Sequence, residues 1–377
     1  MKHLVFVIES LDLGGAEKSL VTLLQNIDYK AYTVDLILFK KGGIFEQLVP
    51  REVIIIYNNS LQLNIVERIQ YKLRKEFNSN GLHHAQLLWQ IIQSNFKREN
   101  KEYDIAFAYS QGFTTYFVDQ CIKASKKFAW LNTDYQKTGY EIEFDYPIYK
   151  NYDAVVAVSP EAKLTLENEL NRIQQILSIK IIKDISDKIV IKQKSNEPLP
   201  IVFKTDTVNI VTVGRLSKDK GLHLAVESCE KLIDKGHSVH WYIVGEGTER
   251  DTLEELIKKK KLTKHVTLVG MTDNPYPYMK ACSIYVQTSL FEGLGLTVIE
   301  AASLNKPIVC TNFPTVYGTL KDGETGLIAE MNSQSLTDKI ELLINDSDLT
   351  NRLVTNLSQL ENADKERTLL EFESLIH

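Results

Sequence analysis

Short apolar runs alternate with amphipathic segments along most of the chain. The runs at 4–10, 33–39 and 208–214 read LVFVIES, TVDLILF and VNIVTVG, which predicts strands. Further strands are predicted in the apolar runs at 53–58, 104–110, 127–132, 153–159, 239–245, 266–270, 283–289 and 307–310. Helical spacing fills the intervals, and helices between short apolar strands favour parallel sheets covered on both faces. The predicted fold class is therefore α/β.

One polar segment with two prolines, residues 192–206, interrupts this alternation and is predicted to be a linker. The same alternation restarts beyond it, which predicts two Rossmann-like domains in tandem. We place the first domain at 1–195 and the second at 205–355, followed by a C-terminal helix at 356–377. A length of 377 residues suits two domains, each with its own core.

Composition and charge exclude several classes of protein. The chain is 44% apolar and has a net charge of -5, which argues against a dedicated nucleic-acid binder. Its four cysteines lie far apart and show no metal-ligand spacing, as expected of reduced thiols in the cytoplasm. The first apolar run is too short for a signal peptide, and no run reaches the roughly 18 residues of a membrane span. We therefore expect a cytoplasmic protein, attached at most to the inner face of the membrane.

Glycine-rich loops follow four of the predicted strands: LDLGGAEKS, GRLSKDKG, VGEGTER and FEGLGLT. In parallel sheets ligands bind where strands end and loops enter helices, so these loops favour a cleft for a phosphate-bearing ligand. None of them has the spacing of a dinucleotide fingerprint, and the chain has no P-loop motif. A nicotinamide dehydrogenase and a P-loop kinase are therefore disfavoured.

Two basic residues, Arg215 and Lys220, lie five positions apart in the loop GRLSKDKG. A guanidinium offers a planar pair of donors to phosphate oxygens, and an ammonium adds a mobile positive charge. Together they are suited to hold a diphosphate. The alternative is an ordinary solvated loop, but the glycines on either side of the two residues favour the phosphate interpretation.

The stretch FEGLGLTVIE contains two carboxylates separated by a glycine loop. Gly293 and Gly295 allow the backbone to approach a ligand, and a helix is predicted to begin near Leu296, where free amides favour an anion. Glu300 then lies about one turn into the helix, where it can accept hydrogen bonds from a ribose diol. Glu292 precedes the glycines and is suited to bind sugar hydroxyls. The alternative is a helix with one exposed and one capping glutamate.

The motifs LGGAEK, GRLSKDKG, VGEGTER and FEGLGLTVIEAASLNKPIV together resemble glycosyltransferase family four, the retaining enzymes of the GT-B fold. The resemblance covers most of the chain and is densest from about 208 to 330. It implies two Rossmann-like domains facing across a cleft, with the nucleotide sugar on the C-terminal domain and the acceptor on the N-terminal domain. It also implies that the last helix crosses back to the N-terminal domain.

The resemblance implies roles for individual residues. Arg215 and Lys220 would bind the donor diphosphate, and Glu292 the donor sugar, so these three are the predicted catalytic residues. Glu300 would bind the ribose. The remaining predicted donor contacts are Gly15 beside the leaving phosphate, Met271 near the base, Asn132 near the sugar, and the loop residues Gly293, Leu294, Gly295 and Leu296.

Asn132 marks a departure from the family pattern. Many members have a histidine at the corresponding strand end, whereas this chain has FAWLNTDYQ, with Asp134 nearby. Asparagine can hydrogen-bond a sugar hydroxyl but cannot carry a proton. His83 and His84 lie in a helical segment and are expected to be structural or surface residues rather than replacements.

By this resemblance the expected function is a retaining glycosyltransferase. It would move a sugar from a UDP- or GDP-linked donor to a glycan, lipid-linked or glycolipid acceptor in surface polysaccharide synthesis. No cofactor or metal is expected, because the basic residues and helix amides can neutralise the diphosphate and no DxD-type cluster is apparent. Attack from the face of the leaving phosphate is the commoner proposal for the family. The alternatives are a sugar-nucleotide epimerase of GT-B type and a catalytically silent partner subunit, and the intact glutamate pair argues against the second.

Residues 60–100 combine a surplus of lysine and arginine with apolar side chains at helical spacing. Such a basic amphipathic segment can lie on an anionic membrane, which predicts a peripheral membrane contact. The alternative is a pair of helices that pack on the N-terminal sheet, since amphipathicity is common to surface helices.

Overall fold

The computed structural model describes residues 1–12, 14–61, 63–78, 81–98, 100–359 and 364–377. The chain divides into two compact units, one formed by 1–185 and 366–377 and the other by 186–365. Each unit is built on a parallel sheet with helices between its strands, so the predicted α/β class is confirmed.

Within the described residues, a seven-stranded sheet forms the first unit and a six-stranded sheet the second. The strand orders are β3-β2-β1-β4-β5-β6-β7 and β10-β9-β8-β11-β12-β13, with every pair parallel. The strands are β1 (Lys2–Ile8), β2 (Tyr32–Leu38), β3 (Val53–Tyr57), β4 (Glu102–Ala108), β5 (Lys123–Leu131), β6 (Ala154–Ala157), β7 (Ile179–Ile181), β8 (Val208–Val213), β9 (Val239–Val244), β10 (Val266–Gly270), β11 (Ile284–Gln287), β12 (Ile308–Thr311) and β13 (Leu327–Ala329).

Helices connect the strands. They are α1 (Gly15–Leu24), α2 (Ile65–Glu76), α3 (His84–Ile92), α4 (Phe113–Cys121), α5 (Ile142–Tyr149), α6 (Pro160–Arg172), α7 (Lys188–Lys194), α8 (Leu222–Asp234), α9 (Arg250–Lys259), α10 (Tyr276–Ala281), α11 (Leu296–Ser303), α12 (Ser333–Asn345), α13 (Ser347–Ser358) and α14 (Asp364–Ile376). Strand β9 is buried along its whole length, as in a sheet covered by helices on both faces, and such strands read as continuous apolar runs. Strands β7 and β13 have only three residues each and are not predicted from the sequence.

The segment predicted as a linker, residues 192–206, is packed against the second unit. Helix α7 contributes Ile191, which is 2% exposed, to the core of that unit. Leu199, Ile201 and Phe203 pack against the same core, and the Phe203 ring stacks on Tyr242 at 4.2 Å between centroids. The apolar side chains of this otherwise polar segment are packed into the second unit. The segment is therefore part of that unit, and the linker prediction is wrong. The predicted bounds of 1–195 and 205–355 accordingly differ from the two compact units.

The single C-terminal helix predicted at 356–377 is instead two helices, α13 and α14, while residues 360–363 lie outside the described residues. Helix α14 contributes to the core of the first unit, although it follows the second unit in the chain. Its Phe372 is 3% exposed, and the ring lies 5.4 Å from that of Phe107. Burial of a phenylalanine of this kind stabilises the contact by about 2–3 kcal/mol.

A buried carboxylate joins three helices of the first unit. Asp145, on α5, is 1% exposed and accepts hydrogen bonds from the hydroxyls of Tyr116 and Tyr135, both at 2.6 Å. It also accepts one from Gln86 Nε2 at 2.8 Å. Burial raises the pKa of Asp145 from 3.8 to about 6, even though the three donors favour the charged form.

This raised pKa predicts a pH dependence of stability that the Asp145→Asn variant lacks. The folded state holds the Asp145 proton more tightly than the unfolded state, so the free energy of unfolding should fall as pH rises from about 4 to about 6. Above about pH 6 the contribution of Asp145 to the free energy of unfolding no longer changes with pH. A rise of about two pKa units corresponds to roughly 3 kcal/mol. Urea unfolding of the wild type and Asp145→Asn at pH 4.5 and 7 measures this change in the free energy of unfolding. The control is Asp348→Asn, at an exposed position. Equal pH dependence in the wild type and Asp145→Asn would contradict this prediction.

Candidate functional site

The candidate site of the second unit lies where its strand order reverses, between β8 and β11. From β8 the chain proceeds to β9 and β10 on one side, whereas β11, β12 and β13 lie on the other. Strands β8 and β11 pair directly, with Ile284 opposite Ile210. The loops that leave their carboxyl ends are therefore neighbours, and this is where doubly wound sheets bind ligands. These loops are GRLSKDKG and FEGLG.

The structure joins the two loops through an ion pair. Lys220 Nζ lies 2.7 Å from Glu292 Oε1, and the two side chains are only 14% and 13% exposed. Asp219 is a second, more distant partner of Lys220 at 3.7 Å. From the sequence, Lys220 is predicted to contact the diphosphate and Glu292 to contact the sugar, as two separate contacts. Their direct contact means that the two charged groups lie in the same small region of the second unit.

Two buried polar side chains hold Glu292 from the strand side. Ser289 Oγ donates to Glu292 Oε1 at 2.7 Å, and Gln287 Nε2 donates to the same atom at 3.2 Å. The Tyr285 hydroxyl donates to Gln287 Oε1 at 2.7 Å and so orients this amide. Gln287 and Ser289 are buried polar residues at the end of the apolar run SIYVQTS and are not predicted as site residues from the sequence. Polar residues at such a strand end were the available signal.

Arg215 differs from Lys220 in its surroundings. Its residue is exposed, and no ion pair links its guanidinium to any residue in the described part of the chain. It directly follows Gly214, at the end of β8. The site thus holds one compensated charge pair and one guanidinium that is available to an anionic ligand.

The glycine loop ends in a helix that no side chain caps. Gly295 has φ +79°, in the left-handed region that favours glycine, and α11 begins at the next residue, Leu296. Gly293 and Leu294, immediately before, are buried. Because glycine provides no capping oxygen, the first amides of α11 have no side-chain acceptor at Gly295, which suits an anion.

Glu300 lies in the fifth position of α11 and is only 3% exposed. The Tyr276 hydroxyl, from α10, donates to Glu300 Oε1 at 3.2 Å. Tyr276 is not predicted as a site residue from the sequence. The structure thus places the predicted ribose carboxylate deeper than Glu292, and its predicted ribose contact stays a prediction.

The loop VGEGTER supports the Arg215 loop. Gly245 has φ +148°, and a Cβ at this position would lie 1.9 Å from the Gly214 carbonyl oxygen. A Cβ on Gly247 would lie 2.4 Å from the carbonyl oxygen of Leu216, whose amide in turn donates to Glu246 O at 2.9 Å. These glycines permit close contact between two backbones. Met271, which follows β10, is 53% exposed and accessible to a ligand.

In the first unit, Gly15 and Asn132 are also found at strand-to-helix connections. Gly15 is exposed and is the first residue of α1, which follows β1. Asn132 directly follows β5, and its side-chain nitrogen and oxygen are both buried without a hydrogen-bond partner in the described residues. Buried amides are normally hydrogen-bonded, so this one is a candidate ligand contact. Asp134 instead accepts a hydrogen bond from the Lys137 amide at 3.0 Å, within its own turn.

The paired histidines of α3 have structural contacts. His83 Nδ1 accepts a hydrogen bond from the Ala85 amide at 3.3 Å and thereby caps the helix. Its ring lies 3.9 Å from the Tyr140 ring. Burial lowers the pKa of His83 to about 4, so the imidazole is neutral at pH 7.

Solved structures match this fold over the whole chain. A mutant of S. aureus TarM, in complex with Fondaparinux, alpha-GlcNAc-glycerol and UDP, superposes with a TM-score of 0.72 at 16% identity over 100% of both chains. Anabaena HepE in complex with UDP and glucose gives a TM-score of 0.70 at 17% identity over 100% of this chain and 98% of HepE. At this identity the likeness shows the fold alone, which is the GT-B architecture of tandem Rossmann-like units.

The match to a protein family lies mainly in the second unit. Residues 178–359 match the model of the family Glycosyl transferases group 1, and this region contains Arg215, Lys220, Glu292 and Glu300. Over this region the chain is similar to the glycosyl transferases group 1.

Curated relatives match parts of the chain. An uncharacterized glycosyltransferase of Methanocaldococcus jannaschii is 28% identical over 264 residues, which are 60% of this chain and 64% of that protein. The N-acetylgalactosamine-N,N'-diacetylbacillosaminyl-diphospho-undecaprenol 4-alpha-N-acetylgalactosaminyltransferase of Campylobacter jejuni is 30% identical over 200 residues, 50% of this chain and 53% of the relative. In both cases the match covers less than two thirds of the relative.

Proposed function

We propose that this protein is a retaining glycosyltransferase that moves a sugar from a UDP- or GDP-linked donor to a glycan or lipid-linked acceptor in surface polysaccharide synthesis. The observation that carries the proposal is the Lys220–Glu292 ion pair of 2.7 Å at the β8/β11 strand reversal. A carboxylate and a cation in contact within the region that matches the family model support neighbouring sugar and diphosphate contacts.

The relatives support both substrates. The TarM complex holds UDP, and the HepE complex holds UDP and glucose. The name of the Campylobacter jejuni relative gives a sugar carried on diphospho-undecaprenol as its acceptor. A lipid-linked acceptor of this kind would be met at a membrane surface, so we include a peripheral location on the inner face of the membrane in the proposal.

The proposed reaction exchanges one bond at the sugar's anomeric carbon. The acceptor hydroxyl oxygen forms a bond to this carbon on the face from which the diphosphate departs, while the bond from carbon to diphosphate oxygen breaks. The acceptor proton passes to the leaving diphosphate, and the anomeric configuration is retained. Negative charge grows on the diphosphate, where Arg215, Lys220 and the first amides of α11 stabilise it without a metal.

Glu292 has a second role in this proposal. Positive charge develops on the sugar ring as the bond to the diphosphate breaks, and a carboxylate nearby stabilises it. Lys220, Ser289 and Gln287 fix the position of Glu292 before the substrate arrives. Such preorganisation avoids rearranging the charged groups during the reaction.

Asn132 is proposed to hydrogen-bond a hydroxyl of the donor sugar, because its buried amide has no partner in the described residues. An amide cannot act as a base, so this role is compatible with the leaving phosphate taking the proton. Gly15 is proposed to lie beside that phosphate, at the uncapped start of α1.

A nucleotide panel followed by a transfer assay tests the proposal. UDP, GDP and their sugars are screened for thermal stabilisation, where a ligand at 100 times its Kd adds about 2.7 kcal/mol. The sugar nucleotide that binds is then incubated with and without lipid-linked acceptors, and the product anomer is identified by NMR. Isomerised sugar without acceptor would indicate an epimerase instead, and binding without turnover would indicate a silent subunit.

Arg215→Ala should weaken nucleoside diphosphate binding by roughly 1.5–3 kcal/mol, the usual loss for a hydrogen bond to a charged group. Isothermal titration calorimetry measures the change. The control is Arg352→Ala, which removes an exposed arginine from α13 in the same unit. Unchanged affinity in Arg215→Ala, or an equal loss in the control, would remove Arg215 from the proposed site.

A further inference from the structure

Helix α2 has apolar side chains that face solvent. We call them the α2 row: Ile65, Val66, Ile69, Leu73 and the adjoining Phe77, which are 77%, 62%, 55%, 50% and 75% exposed. The next helix, α3, differs, because Leu87, Trp89 and Ile92 are at most 5% exposed. The interpretation of 60–100 as helices packed on the sheet therefore holds for α3, whereas the α2 row stays exposed.

The orientation of α2 is fixed by its opposite face. Glu67 is 8% exposed, accepts a hydrogen bond from Asn95 Nδ2 at 2.6 Å and caps the helix through the Asn64 amide at 2.8 Å. At about 100° per residue, the α2 row spans an arc of about 120° centred roughly opposite the Glu67 and Tyr71 side. The row thus points away from the body of the unit.

Basic residues flank the α2 row on both sides. By the same helical geometry, Lys72 and Arg68 lie beyond one edge and Arg74 beyond the other, while Lys75 lies further round on the side of Lys72. All four are exposed. Glu76 is the exposed carboxylate of this helix, so the exposed side chains of α2 carry a net charge of +3, from four basic residues minus one acidic residue. The whole chain has a net charge of -5. Positive charge is therefore concentrated beside exposed apolar surface.

The apolar surface continues into a groove between α2 and α3. This groove has a volume of about 350 Å³ and is lined by Leu73, Phe77, Leu82 and Leu87, with Arg74 beside them. Arg74 Nη1 is held at 2.5 Å from Gln90 Oε1. The exposed apolar patch is thus wider than one helix.

We propose that α2 docks on an anionic lipid surface, with the α2 row in the interfacial layer and its basic edges on the headgroups. Helices of this composition lie in the plane of the interface and are favoured by anionic lipids. No helix in the described ranges is long and apolar enough to cross a membrane. A second copy of the chain is the weaker occupant, because a symmetric contact would bring together two helices whose exposed side chains each carry a net charge of +3.

This inference deepens the proposed function by naming the surface that would meet a lipid-linked acceptor. Its test needs neither donor nor acceptor, so it can fail while the transferase proposal stands. The full chain is floated with phosphatidylcholine vesicles and with vesicles that contain phosphatidylglycerol as well. We expect binding to the anionic vesicles that weakens with salt.

Two double variants test the two parts of the surface. Lys72→Gln with Lys75→Gln should lower the partition coefficient on anionic vesicles roughly 30-fold, since each basic residue near the surface contributes about 5-fold. Ile65→Ser with Ile69→Ser should lower it on the order of 100-fold. All four substitutions are at exposed positions, and circular dichroism checks that the helical content is kept.

Two matched control variants remove the same kinds of side chain, basic or apolar, from exposed positions outside α2. Lys258→Gln with Lys259→Gln takes two exposed charges from α9, and Leu164→Ser with Leu370→Ser takes two leucines that are 56% and 65% exposed. Neither control should change partitioning. The proposal is overturned if the controls and the α2 variants lose binding equally. It is also overturned if the wild type ignores anionic vesicles and sediments as a dimer that Ile65→Ser with Ile69→Ser dissociates.

Discussion

Glu292→Gln is expected to lower the turnover number of the transferase by about 100- to 1,000-fold, the usual effect of removing one preorganised electrostatic contact. The amide keeps the shape of the side chain but removes the charge that would oppose positive charge on the sugar. Nucleoside diphosphate affinity should be unchanged or higher, because Lys220 loses its partner at 2.7 Å and becomes available to the diphosphate. Turnover and calorimetric affinity together measure both effects.

Two further variants test whether these effects are specific to Glu292. Glu324→Gln breaks an exposed pair with Lys321, at 3.9 Å, and should change neither quantity. Glu300→Ala should weaken binding of the bare nucleoside diphosphate, since that ligand carries the ribose. If Glu292→Gln abolished diphosphate binding while Glu300→Ala had no effect, the assigned order of sugar, phosphate and ribose contacts would be reversed.

Gly245→Ala is expected to lower the free energy of unfolding by about 3–5 kcal/mol. The substitution strains a backbone at φ +148° and places a Cβ 1.9 Å from the Gly214 carbonyl oxygen. Strain of this kind costs of order 1–3 kcal/mol, and overpacking adds a similar amount. The displaced Gly214 precedes Arg215, so diphosphate affinity should fall as well. Urea unfolding and calorimetry measure the two losses.

Two other glycines serve as controls that distinguish backbone strain at positive φ from steric overlap of the added Cβ. Gly236 has φ +88° and nothing within 4 Å of an added Cβ, so Gly236→Ala tests positive φ alone and should cost about 1 kcal/mol. Gly318→Ala also meets nothing within 4 Å, and its backbone has no positive φ, so it should be nearly neutral. A loss in Gly245→Ala no larger than in Gly236→Ala would show that the loop after β9 can move away from Gly214.

The candidate site was found in part from sequence because its residues fall in short, recognisable spacings. Arg215 and Lys220 share one loop, and Glu292 and Glu300 flank another, so local order suggested a ligand. The ion pair joins residues 72 positions apart, and this contact depends on β8 and β11 being neighbours in the sheet. Gln287 and Ser289 were missed for the same reason, because their function depends on where Glu292 lies.

The sequence by itself determined the α/β class and most strands, because an apolar run is a local property that a doubly covered sheet requires. It did not determine β7 or β13, because each of these strands has only three residues, which is too short to form a recognisable apolar run. It also could not distinguish α2 from α3, since both are amphipathic. Only the tertiary structure decided that α3 buries its apolar face while α2 leaves its own exposed, because burial depends on which neighbours the fold supplies.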